Sequence, residues 1–185
     1  APATTCDVSA NLAAGSNYTF KVTATSTAGT SLASTASTTA AINAAPSVPL
    51  SVTAVAGNAS ATVSWGSPAN INGSAITGYA VTAYDANNNV AGTCTSVAPA
   101  TTCVVSSLTN GTPYTFKVTA TNGIGTSSES LASTSVTPST IPNAPTGVTP
   151  AMGDAQATIS FLAPVNNGGA AVTSYTVTSS PGSLS

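Results

Sequence analysis

The chain has 185 residues, of which 42% are hydrophobic, and this is enough to build the cores of one or two folded domains. Only 3% of the residues are charged, the formal net charge is −2 at pH 7, and histidine is absent. Because no basic cluster could release counterions from nucleic acid or attract anionic lipid, this composition argues against both as partners.

The first 44 residues contain a sequence motif that recurs almost unchanged later in the chain. NYTFKVTATSTAG begins at Asn17, and PYTFKVTATNGIG begins at Pro113. The two copies begin 96 residues apart, which is longer than the ~20–50 residues of solenoid repeats, so this spacing indicates tandem autonomous domains. Three pairs of aromatic residues are separated by the same 96 positions, namely Tyr18 and Tyr114, Trp65 and Phe161, and Tyr79 and Tyr175.

Residues 45–138 contain one whole period, in which apolar and polar side chains alternate with a spacing of two. This alternation is typical of strands with one buried face. Turn-forming pairs such as Asn72-Gly73 and Asn110-Gly111 separate the runs at the spacing of a small sandwich. The pattern predicts seven strands, at about 50–56, 59–66, 76–84, 90–96, 101–107, 113–122 and 128–137.

The flanking segments match only parts of this period. Residues 1–44 match its last three strands and residues 139–185 its first three. We therefore predict one complete domain at 45–138, preceded by the C-terminal half of a domain and followed by the N-terminal half of another. The joints STTAAINAAP and TPSTIPNAP contain proline, which fixes φ and withholds a backbone donor, so we expect short, semi-stiff connectors and a rod of domains.

Several residues of the complete period carry a family resemblance. Pro46 and Pro49 precede the first strand, Trp65 lies on the second, Tyr79 lies on the third, and Leu108 stands six residues before the tyrosine of SSLTNGTPYTFKVTATNGIG. This arrangement resembles the fibronectin type III domain, and the resemblance spans the whole chain.

The resemblance implies an all-β fold of tandem seven-stranded sandwiches, one complete and two half. It also implies that Trp65 and Tyr79 fill the space between the two sheets, and that Tyr114 forms a corner by bonding to nearby backbone. Phe161 stands at the tryptophan position of the next repeat. The predicted core residues are Trp65, Tyr79, Leu108, Tyr114, Phe116, Phe161, Tyr175, Tyr18 and Phe20.

The cysteines point to an oxidising environment. Cys94 and Cys103 flank a predicted turn, which suits a disulfide between the fourth and fifth strands. The alternative is a metal site, but there is no histidine or third nearby thiol to complete zinc coordination. Cys6 matches Cys103, and its own partner would lie upstream of Ala1. A disulfide predicts an extracellular, secreted or cell-surface location.

Catalytic machinery is not recognisable in the sequence. Serine has no histidine base, and the acidic residues Asp85, Glu129 and Asp154 are scattered singly, so neither a nucleophilic triad nor a glycosidase pair is present. We therefore expect no enzyme activity and no cofactor. With no run of eighteen apolar residues and no leader pattern, we also expect no membrane insertion in this segment, and interpret it as a mature form or a fragment.

The predicted function is that of a structural module, the repeating unit of an extracellular fibre or of a rod-like adhesin or spacer. The half-domains would be completed by adjacent domains of the same long chain or, head to tail, by copies of itself. One alternative is a linker or accessory module of a secreted bacterial polysaccharide hydrolase. A second is a carbohydrate- or receptor-binding module, for which Tyr84 is the one aromatic residue on the outward phase.

Overall fold

The computed structural model describes residues 3–9 and 11–180, and every regular element assigned there is a β-strand. This confirms the all-β class. The strands are β1 (Ser16–Tyr18), β2 (Thr25–Ser26), β3 (Gly29–Thr30), β4 (Ala40–Ile42), β5 (Leu50–Gly57), β6 (Ser60–Gly66), β7 (Ile76–Tyr84), β8 (Val90–Val97), β9 (Thr102–Ser106), β10 (Thr115–Asn122), β11 (Thr146–Gly153) and β12 (Gln156–Leu162).

The central part of the chain forms a sandwich of two antiparallel sheets. One sheet has the order β10-β7-β8, and the other has the order β5-β6-β9. Alternate residues of β6, β7 and β10 are buried, because a strand turns successive side chains to opposite faces. The buried side chains form one core between the sheets, made of Ala61, Val63, Trp65, Tyr79, Val81, Ala83, Val105, Leu108, Tyr114, Phe116, Val118 and Ala120.

The seventh predicted strand, 128–137, is not a strand in the structure. It makes an isolated bridge between Val136 and Tyr114, the residue before β10, and a series of serine contacts with β10 that have a period of three. Three residues of this segment pass two residues of β10, so it advances by about 2.2 Å per residue, which is too little for a strand. The hydroxyls that make these contacts belong to Ser127, Ser130 and Ser133, which we call the serine ladder.

Each serine of the ladder makes the same three hydrogen bonds. The Ser130 amide donates to the Val118 carbonyl (2.9 Å), the Ser130 hydroxyl accepts from the Val118 amide (3.0 Å), and it donates to the Leu131 carbonyl (2.8 Å). The serine therefore satisfies both backbone groups of one β10 residue, as a partner strand would. The sheet edge is closed without a seventh strand, and the ladder serines are buried while the residues between them are exposed.

In the described residues of the two flanking segments, the strands occur only in pairs. β1 pairs with β4, β2 with β3, and β11 with β12. The predicted third strand of 139–185 is not assigned around Tyr175, and the run after Tyr18 is strand only at its two ends. In the sandwich these stretches correspond to β7 and β10, which are each other's main partners. Here each lacks that partner, so the ladder of hydrogen bonds that defines a strand does not form.

Candidate assembly surfaces

The complete sandwich shows how the faces of one domain cover each other. The Trp65 and Tyr79 rings pack at 5.3 Å between centroids with an interplanar angle of 58°, and both residues are buried. The Tyr114 hydroxyl accepts a hydrogen bond from the Thr109 amide (3.1 Å), which makes the predicted corner. Among the described residues, the buried Nε1 of Trp65 has no hydrogen-bond acceptor, so phenylalanine at position 161 loses no such bond.

The C-terminal segment repeats half of this arrangement and leaves it uncovered. The Phe161 and Tyr175 rings pack at 4.9 Å with the same angle of 58°. Tyr175 is nevertheless 43% exposed, whereas its counterpart Tyr79 is 5% exposed. These rings, with Ile159 and Val177, line an open cavity of about 270 Å³, which we call the C-terminal open face.

The N-terminal segment presents the opposite half. The Tyr18 hydroxyl accepts a hydrogen bond from the Ala13 amide (2.9 Å), so its corner is built like that of Tyr114. Phe20 is half-buried, and Val22 is 71% exposed although its counterpart Val118 is completely buried. Phe20 and Val22 line an open cavity of about 650 Å³ together with Val8, Leu12 and Ile42, and we call this the N-terminal open face.

A disulfide joins the edges of the two central sheets. The sulfur atoms of Cys94 on β8 and Cys103 on β9 are bonded, at 2.11 Å. β8 belongs to the sheet of β10 and β7, while β9 pairs with β6 in the other sheet. The bond therefore fastens the two layers of the sandwich to each other at one edge. Cys6 is exposed and forms no disulfide with the cysteines of the described chain.

The outward aromatic residue belongs to a small charged cluster. The Tyr84 hydroxyl donates to Glu129 Oε1, Lys117 Nζ lies 2.9 Å from Glu129 Oε2, and the same Nζ stands 5.0 Å from the centre of the Tyr84 ring. The hydrogen bond to Glu129 raises the pKa of Tyr84, and the hydrogen bonds from Tyr84 and Lys117 lower the pKa of Glu129. The ammonium thus covers one face of the Tyr84 ring.

The Asp85 side chain has a structural role. The Asp85 carboxylate accepts hydrogen bonds from the Asn87 and Asn89 amides (2.8 Å each), which shapes the turn after β7. Its pKa is lowered mainly by the bond from the Asn89 amide.

Among the described residues, no three acidic, cysteine or histidine side chains gather to hold a metal ion. None of the described segments is a helix long and apolar enough to cross a membrane.

The serine ladder is a structural feature that the alternation of apolar and polar residues does not predict. Period-two reasoning treats serine as an outward polar residue, but the sequence spaces serines by three in both copies of the repeat. Ser31, Ser34 and Ser37 bond to Ala24, Val22 and Phe20 as the later serines bond to Ala120, Val118 and Phe116. A search for S-x-x-S-x-x-S after the repeated phrase would have found the ladder from the sequence.

Replacing Ser130 by alanine should lower the free energy of unfolding of residues 45–138 by about 1–3 kcal/mol. The change leaves the buried Val118 amide without its acceptor, and an unsatisfied buried donor has a cost of this size. Urea denaturation followed by Trp65 fluorescence measures the effect. Ser128→Ala is the matched control, because Ser128 is exposed between two ladder positions and its replacement should change the stability by less than about 0.5 kcal/mol. Equal effects of the two changes would contradict the role of the ladder.

Comparison with known proteins identifies the family. Residues 44–136, half of the chain, match the family profile of the fibronectin type III domain. The chain belongs to the fibronectin type III family, whose domains are generally non-catalytic modules of multidomain proteins. Fibronectin type III domains and a disulfide are typical of extracellular proteins.

Two solved structures are similar to parts of this chain. A crystal structure of several domains of titin is 27% identical with a TM-score of 0.47, and the match covers 52% of this chain and 33% of that one. The FN1–FN3 domains of chicken CNTN1 are 19% identical with a TM-score of 0.46, and that match covers 69% of this chain and 44% of that one. The chain thus spans less than half the length of either structure.

Proposed function

We propose that this chain is a non-catalytic structural module of a secreted or cell-surface protein, and that it is the repeating unit of an extracellular fibre. Each unit contributes one complete sandwich at 45–138 and two open faces. The N-terminal open face of one copy is covered by the C-terminal open face of the next. A head-to-tail contact whose rotation does not close into a ring extends into a filament.

The observation that carries this proposal is the correspondence between the two open faces and the two halves of the sandwich. In the sandwich, Val118 of β10 stands opposite Val81 of β7, and both are completely buried. Their counterparts 96 positions away are Val22 and Val177, which are 71% and 42% exposed. The central domain is thus a template for the contact between copies.

Energetics favour covering these faces. Burying a valine or an aromatic side chain is worth roughly 1.5–3 kcal/mol, and each open face presents several of them. The composition adds no opposing force, because a chain with 3% charged residues has little like-charge repulsion between copies. Completion then follows the strand-addition mode of recognition.

The test is assembly of the purified chain with a matched pair of variants. Negative-stain microscopy and sedimentation velocity at rising concentration should show filaments with an axial repeat of about two domains. Val22→Asp places a charge in the contact and should abolish assembly, because a buried unpaired carboxylate is strongly unfavourable. Thr19→Asp adds the same charge at an exposed position that does not line the N-terminal open face, and this variant should still assemble.

The melting of residues 45–138 should be the same in both variants, since neither position lies in the complete sandwich. Monomers at every concentration, or filaments formed by Val22→Asp as readily as by the wild type, would refute completion by a second copy. Filaments lost equally in both variants would show that net charge, and not the open face, controls assembly.

A further inference from the structure

The two joints of the chain are built from the same hydrogen bonds, displaced by 96 positions. At the first joint the Gly15 amide donates to the Ile42 carbonyl (2.7 Å), and at the second the Gly111 amide donates to the Pro138 carbonyl (2.9 Å). In each case a turn at the end of the preceding unit bonds to the connector as it leaves that unit. The connector therefore begins in a fixed position.

The connector then bonds to a loop of the following unit, again in the same way twice. Ala44 and Ser47 donate to the carbonyls of Asn72 (3.1 Å) and Asn70 (2.9 Å). At the second joint the donors are Thr140 and Asn143, and the acceptors are the carbonyls of Gly168 (2.8 Å) and Asn166 (2.9 Å). The connector is thus held on both sides, although the side chains at most of these positions differ.

Glycines meet where the two units touch. Gly111 in the turn of the central domain lies against Gly169 in the loop of the next unit, and Gly15 lies against Gly73 in the same way. A Cβ on Gly169 would stand 2.4 Å from the Gly111 nitrogen and 2.7 Å from the Asn110 carbonyl carbon, which are backbone atoms that cannot move aside. The absence of side chains lets the two backbones approach directly.

A buried asparagine fastens the first joint further. Asn122, at the end of β10, is 4% exposed. Its Nδ2 donates to the Ala44 carbonyl of the connector (2.8 Å) and to the Ile71 carbonyl (3.1 Å), while its Oδ1 accepts from the Ile124 and Gly125 amides. One side chain thus links the connector, the loop that contains Ile71 and the turn at Ile124 and Gly125.

We propose that these contacts form a docking surface between consecutive domains of this chain, and that it holds every domain at one fixed angle to the next. The partner that fits the surface is the following repeat, recognised by its glycine loop. Because both joints use the same bonds, successive domains are related by the same rotation and translation, and the array is a stiff, regular rod instead of domains on flexible linkers. The inference concerns the joints and does not depend on how the open faces are completed.

Hydrogen exchange of the two connectors tests this proposal on the full chain. Mass spectrometry of peptides covering 42–48 and 138–144 reports the connector amides in monomers and assemblies alike. In the wild type these amides should be protected. Gly169→Ala should raise exchange of the second connector about tenfold, since the contact and the two hydrogen bonds to the loop are lost together.

Gly29→Ala is the matched control for backbone strain. Gly29 has a φ of 138°, so alanine is disfavoured there, but a Cβ would meet no atom within 4 Å. It should leave both connectors protected. Asn122→Ser is the second variant, and it should raise exchange of the first connector by a similar factor because the bond to Ala44 is removed. It keeps the test decisive if Gly169→Ala unfolds β11 and β12.

The same measurements in a Val22→Asp background separate this proposal from the assembly proposal, because that variant is expected to remain monomeric. Protected connectors in the monomer would support the joints even if filaments never form. Connectors that exchange at unprotected rates in the wild type would overturn the docking surface. So would variants that raise exchange at their own joint no more than Gly29→Ala does.

Discussion

Replacing Phe116 by alanine should lower the free energy of unfolding of residues 45–138 by about 3–5 kcal/mol. The side chain is completely buried, belongs to the second residue of β10, and is among the largest fully buried side chains of the core. Its removal leaves a cavity between two sheets that their strand ladders hold in place. Because a domain of this size is stable by only about 5–15 kcal/mol, the variant should approach its unfolding threshold in mild denaturant.

Phe20→Ala is the matched control for this prediction. Phe20 occupies the same position of the repeated phrase, but it lies on the N-terminal open face, where no second sheet covers it. Its loss should change the unfolding of residues 45–138 by less than about 0.5 kcal/mol, as measured by Trp65 fluorescence in urea. If both changes destabilised the central domain equally, the division of the chain into a complete sandwich and an open half would be wrong.

The sequence predicts the central strands well because the alternation of their buried and exposed side chains is visible in the local sequence. In β7 and β10 the apolar side chains alternate with polar ones, and β7 begins and ends at the predicted residues 76 and 84. The same alternation places Phe116 and Val118 in the core. Where one face of a strand is buried and the other is solvated, a period of two in the sequence contains nearly all the information that is needed.

The features that escaped sequence reasoning depend on long-range partners. Tyr175 matches Tyr79 in sequence, but its strand is not assigned because the residues that pair with β7 in the sandwich have no counterpart beside it. Gly169 reads as an ordinary turn residue, and only the fold brings it against Gly111. The serine ladder is a different case. Its period of three is visible in the local sequence, but the alternation of apolar and polar residues does not indicate that a serine hydroxyl takes the place of a backbone carbonyl on a partner strand.

Removing the disulfide should lower the free energy of unfolding of the central domain by about 2–3 kcal/mol. Cys94 and Cys103 are nine positions apart, and closing a loop of this size restricts the unfolded chain by roughly that amount. The effect has a structural side as well, because β8 lies at the outer edge of its sheet and the bond ties it to β9 of the other layer. The double variant Cys94→Ala/Cys103→Ala and the reduced wild type should therefore unfold at the same lower urea concentration.

The control for this experiment is the third cysteine. Cys6→Ser should leave the unfolding transition of residues 45–138 unchanged with or without reductant, since Cys6 is exposed and lies outside the complete sandwich. A reductant that left the wild-type transition in place would show that the sheets alone hold β8. A loss of stability within the predicted range would instead mean that the staple compensates for the weak edge of a sheet whose other side is closed by serine hydroxyls. The two edges of this sheet are β8, which begins at Val90, and β10. Both would then be secured by side chains, β8 by the disulfide and β10 by the serine ladder, and not by further strands.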